Sequence, residues 1–367
     1  MRLWIPGPTQ VRPELLAECA RPMIGHRSKA MTQLVERLDP HLTHAFGLGE
    51  GSTAQLAAHT VSATGFMESC LIGCGPRVLS LVTGAFGARW HEIAERLGKQ
   101  ARALEAPWGE CVPPAQLRRV LSEEGPFDAL TFISSETSTG TLAPLDAYAA
   151  LLREFEDTLV FVDLVSYLAA GPVDFDARGF DFAFAGTQKA LALPPGLAVA
   201  CASQRYLEQA RTRANRGFYL DPVEVFEGHA ARKTPSTPCI PLYYALARQV
   251  EDISAGLLEG GARDAAEGWR KRFERHARMR SATESWAAAR GLEYLPASES
   301  RSPAVACVRA GGLDVGALLA GLEARGHKIG NGYGKLKDAT FRIGHMGDHL
   351  ERDLAQLLAA ADQLHGG

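Results

Sequence analysis

One lysine stands in an apolar stretch that resembles the end of a buried strand. Between Phe182 and Leu197 the only charged residue is Lys189, and Pro194-Pro195-Gly196 prevents a helix from following it. Burial disfavours the ammonium form, so we expect Lys189 to have a lowered pKa and a neutral amine that can attack a carbonyl. The alternative is a lysine that extends from a strand end into solvent.

A carboxylate precedes this lysine at the end of another apolar segment. Residues 158–166 read as a buried parallel strand that ends at Asp163, and ligands of open α/β sheets bind beyond the carboxyl ends of strands. An aspartate there can pair with the pyridinium nitrogen of pyridoxal phosphate (PLP), which is attached to its enzymes as a lysine Schiff base. A helix cap or a surface turn is the alternative for Asp163 alone. Together with Lys189, it predicts a PLP site.

The composition places the chain among ordinary soluble proteins. It has 367 residues, of which 46% are hydrophobic and 22% charged, and a formal net charge of -3. This length suits one large α/β domain and a smaller one. The absence of basic runs predicts no nucleic-acid partner. The N-terminus lacks the apolar core of a signal peptide and no segment has eighteen uninterrupted apolar residues, so we expect no membrane association and a cytoplasmic protein.

The cysteines predict neither a disulfide framework nor a metal site. Their number, seven, is odd, and most lie in apolar surroundings. Cys70 and Cys74 are one helical turn apart, but no second Cys/His pair has the spacing of a zinc finger.

Several motifs together resemble one family. The arrangement is similar to that of class V aminotransferases of PLP fold type I, particularly the alanine–glyoxylate and serine–pyruvate group. The resemblance covers nearly the whole chain. The motifs that carry it are, in order, Gly7-Pro8-Thr9, Glu136-Thr137-Ser138-Thr139-Gly140, Asp163, Gly186-Thr187-Gln188-Lys189, Pro194-Pro195-Gly196 and Phe341-Arg342-Ile343-Gly344-His345-Met346-Gly347.

The alternation of strands and helices predicts a mainly parallel sheet covered by helices. The resemblance implies the complete architecture: an α/β fold with a large domain built on a mainly parallel seven-stranded sheet and a small C-terminal α+β domain. We place an N-terminal arm at residues 1–15, the large PLP-binding domain at 16–255 and the small domain at 256–367. Residues 205–240 read as polar and irregular.

The resemblance also implies which residues bind the cofactor. Ser62, Ala63 and Thr64 lead into a helix and would bind the PLP phosphate, where the family carries Ser-Gly-Thr-Gly and this chain has Ala63 instead of the middle glycine. An ordinary helix N-cap is the alternative. Phe86 would stack on the ring.

Three further cofactor contacts follow from the resemblance. Thr137 and Gln188 would orient the ring. Thr237 would reach the phosphate of a neighbouring subunit, which implies a homodimer with shared active sites; a plain surface loop is the alternative.

Arg342 is the candidate for substrate binding, because a guanidinium among apolar neighbours on a strand suits bidentate binding of a carboxylate. A structural ion pair is the alternative. The resemblance adds Thr9, in an arm that lies along the active-site mouth. His26 and Arg27, in a cationic loop, would contact an anionic substrate group or belong to a solvated loop.

These features predict an aminotransferase that moves the amino group of alanine or serine to glyoxylate or pyruvate. A phosphoserine aminotransferase is the first alternative, because His26-Arg27-Ser28-Lys29 resembles the cationic motif of that family. A cysteine desulfurase or lyase is disfavoured, since Gln188 precedes the lysine and residues 308–367 contain no cysteine. The last alternative is a binding protein that keeps the PLP fold without turnover.

Overall fold

The computed structural model describes residues 1–365, which form thirteen strands, thirteen α-helices and three short 3₁₀ helices. The strands are β1 Arg2–Trp4, β2 Gln55–His59, β3 Arg77–Val82, β4 Gln100–Glu105, β5 Ala129–Ile133, β6 Ser135–Glu136, β7 Thr141–Leu142, β8 Leu159–Asp163, β9 Phe182–Gly186, β10 Ala198–Ala202, β11 Val305–Arg309, β12 His327–Asn331 and β13 Thr340–Gly344.

The helices are interspersed with the strands over the first two hundred residues and outnumber them afterwards. They are α1 Pro13–Cys19, α2 Lys29–Glu36, α3 Asp39–Phe46, α4 Ala63–Ile72, α5 Ala85–Arg96, α6 Pro114–Glu124, α7 Leu145–Leu152, α8 Gln204–Arg211, α9 Pro222–Ala230, α10 Ile240–Ser254, α11 Ala265–Ala288, α12 Val315–Ala324 and α13 Glu351–His365. Within residues 1–365, no helix combines the length and the apolarity needed to cross a bilayer.

The large sheet has seven strands in the order β2-β10-β9-β8-β5-β3-β4. Four of its pairings are parallel, and only β10 runs antiparallel to both of its neighbours. The predicted mainly parallel seven-stranded sheet is therefore confirmed. Its parallel strands direct their carboxyl ends to one edge, which is where ligands of such sheets bind.

Apolar side chains cover both faces of this sheet. In β9, Phe182 and Phe184 join one buried cluster, whereas Ala183 and Ala185 join the other. Successive residues of a strand point to opposite faces, so a strand that is apolar throughout must be buried on both sides. The apolar run before Lys189 therefore reflects a central strand.

A second sheet has four strands in the order β1-β12-β13-β11, three of which come from the C-terminal part of the chain. It packs over a third apolar cluster that includes Trp4 and Phe341. Strand β1 pairs parallel to β12, so the beginning of the N-terminal arm belongs to this sheet. The domain boundaries at residues 15 and 255 stay a prediction.

The interpretation of residues 205–240 as irregular is wrong, because most of α8 and all of α9 lie there. Ser203 caps α8 by accepting a hydrogen bond from the amide of Tyr206, and Asp221 caps α9 by accepting one from Val223. Pro222 occupies the first turn of α9, where its missing N–H is not needed. These start signals were present in the sequence, but the polar composition of the segment concealed them.

Candidate active site

A cleft opens at the carboxyl edge of the large sheet. Asp163 is the last residue of β8, and Lys189 lies three residues after the end of β9. The cleft brings together all of the predicted cofactor-binding residues except Thr237: Ser62, Ala63, Thr64, Phe86, Thr137, Asp163, Gln188 and Lys189. Residues separated by more than a hundred positions therefore meet at one point.

Lys189 is buried, with only 8% of its surface exposed. Burial, followed by the positive charge of Arg342, lowers the pKa of Lys189 to about 8. Its Nζ donates a hydrogen bond to the carbonyl of Pro6 in the arm. Gly7 has φ +90, and a Cβ there would lie 2.4 Å from Cδ of Lys189, so glycine lets the arm pass against the lysine.

Asp163 is a buried carboxylate at the end of β8. Burial raises the pKa of Asp163 to about 7. Its Oδ1 accepts a 2.7 Å hydrogen bond from the amide of Val165. Within residues 1–365 no cation lies within ion-pair distance of it, although the charges of Lys189 and Arg89 partly oppose the rise in its pKa. A ligand with a cationic N–H would stabilise the ionised form of this side chain.

Helix α4 begins at the cleft. Ser62 is its N-cap residue, yet the hydroxyl makes no capping hydrogen bond. Ala63 and Thr64 are the first two residues of the helix, and first-turn amides have no partner within a helix. Free amides and the helix dipole favour an anion at this position.

Glu136 is a buried residue of the site that the sequence analysis did not assign. Its Oε2 accepts hydrogen bonds from the amides of Phe86 and Gly87, each 3.2 Å long, and its Oε1 accepts from the amide and hydroxyl of Ser138. Burial raises the pKa of Glu136. Glu136 thereby holds the first turn of α5, which carries Phe86. A carboxylate three residues after the end of the apolar strand β5 was the signal that could have revealed it.

Arg89 also lines the cleft without having been predicted. Its guanidinium carbon lies 4.9 Å from the ring centroid of Phe86, a cation–π contact. It follows Phe86 by three positions on α5, a spacing that places two side chains on one helix face.

Thr137 and Gln188 are held by bonds to other parts of the chain. The hydroxyls of Thr137 and Ser166 are 2.5 Å apart, and the backbone carbonyl of Gln188 accepts a 3.0 Å hydrogen bond from the amide of Thr9. The side chain of Gln188 is half-buried.

Arg342 lies on β13, and its charge acts on Lys189. Its Nε donates to the carbonyl of Asn331 over 2.9 Å, and its Nη1 donates to the carbonyl of Thr137 over 3.0 Å. A guanidinium has five N–H donors, so three are left for a ligand after these two bonds. The side chain is therefore oriented by the protein and can still bind a carboxylate.

Arg342 does not belong to the lining of the cleft itself, and neither do the other predicted substrate and phosphate contacts, Thr9, His26, Arg27 and Thr237. The hydroxyl of Thr9 is buried and donates to the carbonyl of Met346, so the arm positions Lys189 through its backbone and not through this side chain. His26 and exposed Arg27 lie just before α2, with Arg27 Nε 3.3 Å from His26 Nε2. Thr237 is exposed in the single chain.

A family model described as aminotransferase class-V matches residues 51–266. An uncharacterised aminotransferase of Methanocaldococcus jannaschii is 32% identical over 98% of this chain and 91% of its own. The chain belongs to the class V aminotransferase family. A serine–glyoxylate aminotransferase of Methylorubrum extorquens is 30% identical, with coverage of 98% and 90%.

Solved structures show the same architecture. An alanine–glyoxylate aminotransferase from Nostoc sp. superposes on this class V aminotransferase with a TM-score of 0.87 and 29% identity, and covers 99% of this chain and 94% of its own. The predicted PLP fold type I is confirmed.

Members of this family use PLP, and the donor groups of the cleft suit it. A lysine amine is available for the carbonyl, an unpaired buried carboxylate for the ring nitrogen and a helix N-terminus for the phosphate. In the described part of this class V aminotransferase, no three His, Cys, Asp or Glu side chains form a group that could hold a metal ion. Because the chain belongs to the aminotransferases, its substrates are amino acids and oxo acids.

Proposed function

We propose that this enzyme transfers the amino group of L-alanine or L-serine to glyoxylate or pyruvate. The observation that carries the proposal is the free guanidinium edge of Arg342, which is oriented by two backbone carbonyls and acts electrostatically on Lys189. The names of the two characterised relatives support it, since both include glyoxylate and they differ in the donor, serine or alanine.

The site residues take the following roles in this proposal. Lys189 holds the cofactor through its amine, Asp163 accepts a hydrogen bond from the protonated ring nitrogen, and Phe86 stacks on the ring. Thr137 and Gln188 orient the ring. The phosphate is bound at the start of α4 by Ser62, Ala63 and Thr64, the last two through their amides.

Bound PLP supplies a carbonyl that accepts the amino group and a ring that withdraws electrons from the substrate α-carbon. Lys189 Nζ supplies the base: with a pKa of about 8, a substantial fraction is neutral at pH 7 to 8 and can take the α-proton and return it. Arg342 holds the α-carboxylate of the donor and of the 2-oxo acceptor.

The pH dependence of cofactor capture tests the state of Lys189. Because only the neutral amine attacks a carbonyl and burial lowers the pKa of Lys189 to about 8, we expect capture of PLP by the apoprotein to accelerate as pH rises towards 8 and to level off above it. The measurement is the growth of PLP absorbance after mixing, from pH 6 to 10. If the rate of capture still increases steeply between pH 9 and 10, Lys189 has the pKa of an ordinary exposed lysine and the prediction is wrong.

We further propose a homodimer in which Thr237 of one subunit reaches the phosphate site of the other. Two apolar side chains on separate segments, Met23 and Phe218, are 66% and 68% exposed in the single chain, and their burial at a subunit interface would stabilise a dimer. Sedimentation equilibrium measures the mass directly, and a monomer at micromolar concentration would refute the proposal.

Visible spectroscopy tests the donor. We expect L-alanine or L-serine to shift the absorbance of bound PLP, and glyoxylate or pyruvate to reverse the shift. A response to L-phosphoserine alone would instead establish the phosphoserine aminotransferase reading. His26 and Arg27, on which that reading depends, do not line the cleft. No cysteine within residues 1–365 lines the cleft either. The alternative of a cysteine desulfurase therefore gains no support.

A further inference from the structure

The loop between β12 and β13 is closed at its base by strand pairing and hydrogen bonds. These strands pair antiparallel at Gly330 with Arg342 and at Asn331 with Phe341. Beyond them, the side-chain amide of Asn331 donates to Asp338 Oδ1 over 2.7 Å, and its oxygen accepts from the amide of Asp338 over 2.9 Å. These two bonds close the loop of residues 332–337 at its base.

Tyr333 occupies this loop between two residues of the active site. Its ring centroid lies 5.8 Å from that of Phe86, at an interplanar angle of 40°. The guanidinium carbon of Arg342 lies 5.5 Å from the centroid of the same ring. Tyr333 is half-buried. Because its ring contacts both side chains, it connects Phe86 at the cofactor cleft with Arg342 at the proposed substrate position.

The same loop is anchored at a second point. Nζ of Lys335 lies 4.6 Å from the ring centroid of Trp108, which precedes α6 in the large domain. A loop closed at its base and held at its tip cannot retract to make room for a larger substrate without breaking these contacts.

We propose that Tyr333 determines substrate specificity, by limiting the donor to small side chains and by holding the Arg342 guanidinium in place. This inference rests on the proposed function. A substrate whose carboxylate is bound by Arg342 and whose amino group is at the cofactor has its α-carbon close to the ring that touches both Arg342 and Phe86. A bulky side chain there would collide with the ring, and each displaced methylene changes selectivity by about 10-fold or more.

The experiment compares binding of two donors that lack an α-proton and therefore cannot be transaminated, 2-methylalanine and α-methyl-L-phenylalanine. The readout is the dissociation constant from titration of the visible spectrum of the PLP-loaded protein. We expect the wild type to prefer 2-methylalanine by at least about 10-fold. Tyr333→Ala should reduce that preference about 10-fold, and it should also weaken binding of 2-methylalanine about 3-fold, since the cation–π contact to Arg342 is lost.

Two variants serve as controls. Tyr333→Phe keeps the ring and should retain the wild-type preference. Lys337→Ala removes an exposed side chain from the same loop and should have no effect on either constant. The proposal is overturned if the wild type does not prefer 2-methylalanine, or if Tyr333→Ala leaves the preference unchanged. Failure of the proposed function is a separate result: the wild type then transfers no amino group from alanine or serine, whatever its binding preference.

Discussion

Replacing Lys189 with alanine is expected to lower kcat by at least about 10⁴-fold, because the variant lacks both the amine that holds the cofactor and the base that moves the α-proton. The side chain is buried in the cleft, burial lowers its pKa to about 8, and no other lysine within residues 1–365 lines this cleft. Steady-state transamination of alanine with glyoxylate measures the loss. The absorbance of PLP attached to lysine should disappear at the same time.

The control is Lys99→Ala, which removes a partly buried lysine whose Nζ donates to the carbonyl of Cys74, outside the cleft. This variant should keep its turnover and its PLP absorbance. A small primary amine added to Lys189→Ala should partly restore turnover by supplying the missing base. Wild-type kcat in Lys189→Ala would refute the mechanism.

Replacing Arg342 with alanine is expected to raise KM for both the amino acid and the 2-oxo acid by on the order of 100-fold, about 3 kcal/mol. The guanidinium keeps three donors free after its bonds to Asn331 and Thr137, and a carboxylate that binds two of them gains a charge-assisted, bidentate contact. The contact is present before and during the reaction, so most of the effect should appear in KM and a smaller part in kcat.

Arg342→Lys should recover only part of this loss, because one ammonium cannot reproduce the planar fork that also bonds two carbonyls. Arg309→Ala removes an exposed arginine of β11 in the same sheet and should leave KM unchanged. An unchanged KM in Arg342→Ala would assign carboxylate binding to another cation, for which half-buried Arg89 in the cleft is the first candidate.

The sequence by itself determined the fold class and the chemical centre. The apolar runs before Asp163 and Lys189 could be read as buried strands because a strand covered on both faces has no alternation of polar residues. A carboxylate and an amine at the ends of such strands have few uses other than binding a ligand. The motif order then indicated the family, which the comparisons confirm.

Edges and turns were harder to predict. Strand β4 is exposed at alternate positions and lies at the edge of the sheet, so it lacks the apolar run that identifies central strands. Helices α8 and α9 are stabilised by their caps and by packing of a few apolar residues, and their polar composition made them read as loops.

Only the tertiary structure decided which side chains surround the chemical centre. Glu136 reaches Phe86 across fifty positions, and Tyr333 meets Phe86 from the other sheet, contacts that no local pattern encodes. The hydroxyl of Thr9 faces Met346 and not the cleft, because the backbone of the arm lies against Lys189. Local sequence reports periodicity and burial, whereas the partners of a side chain depend on how distant elements pack, and that packing is a property of the whole chain.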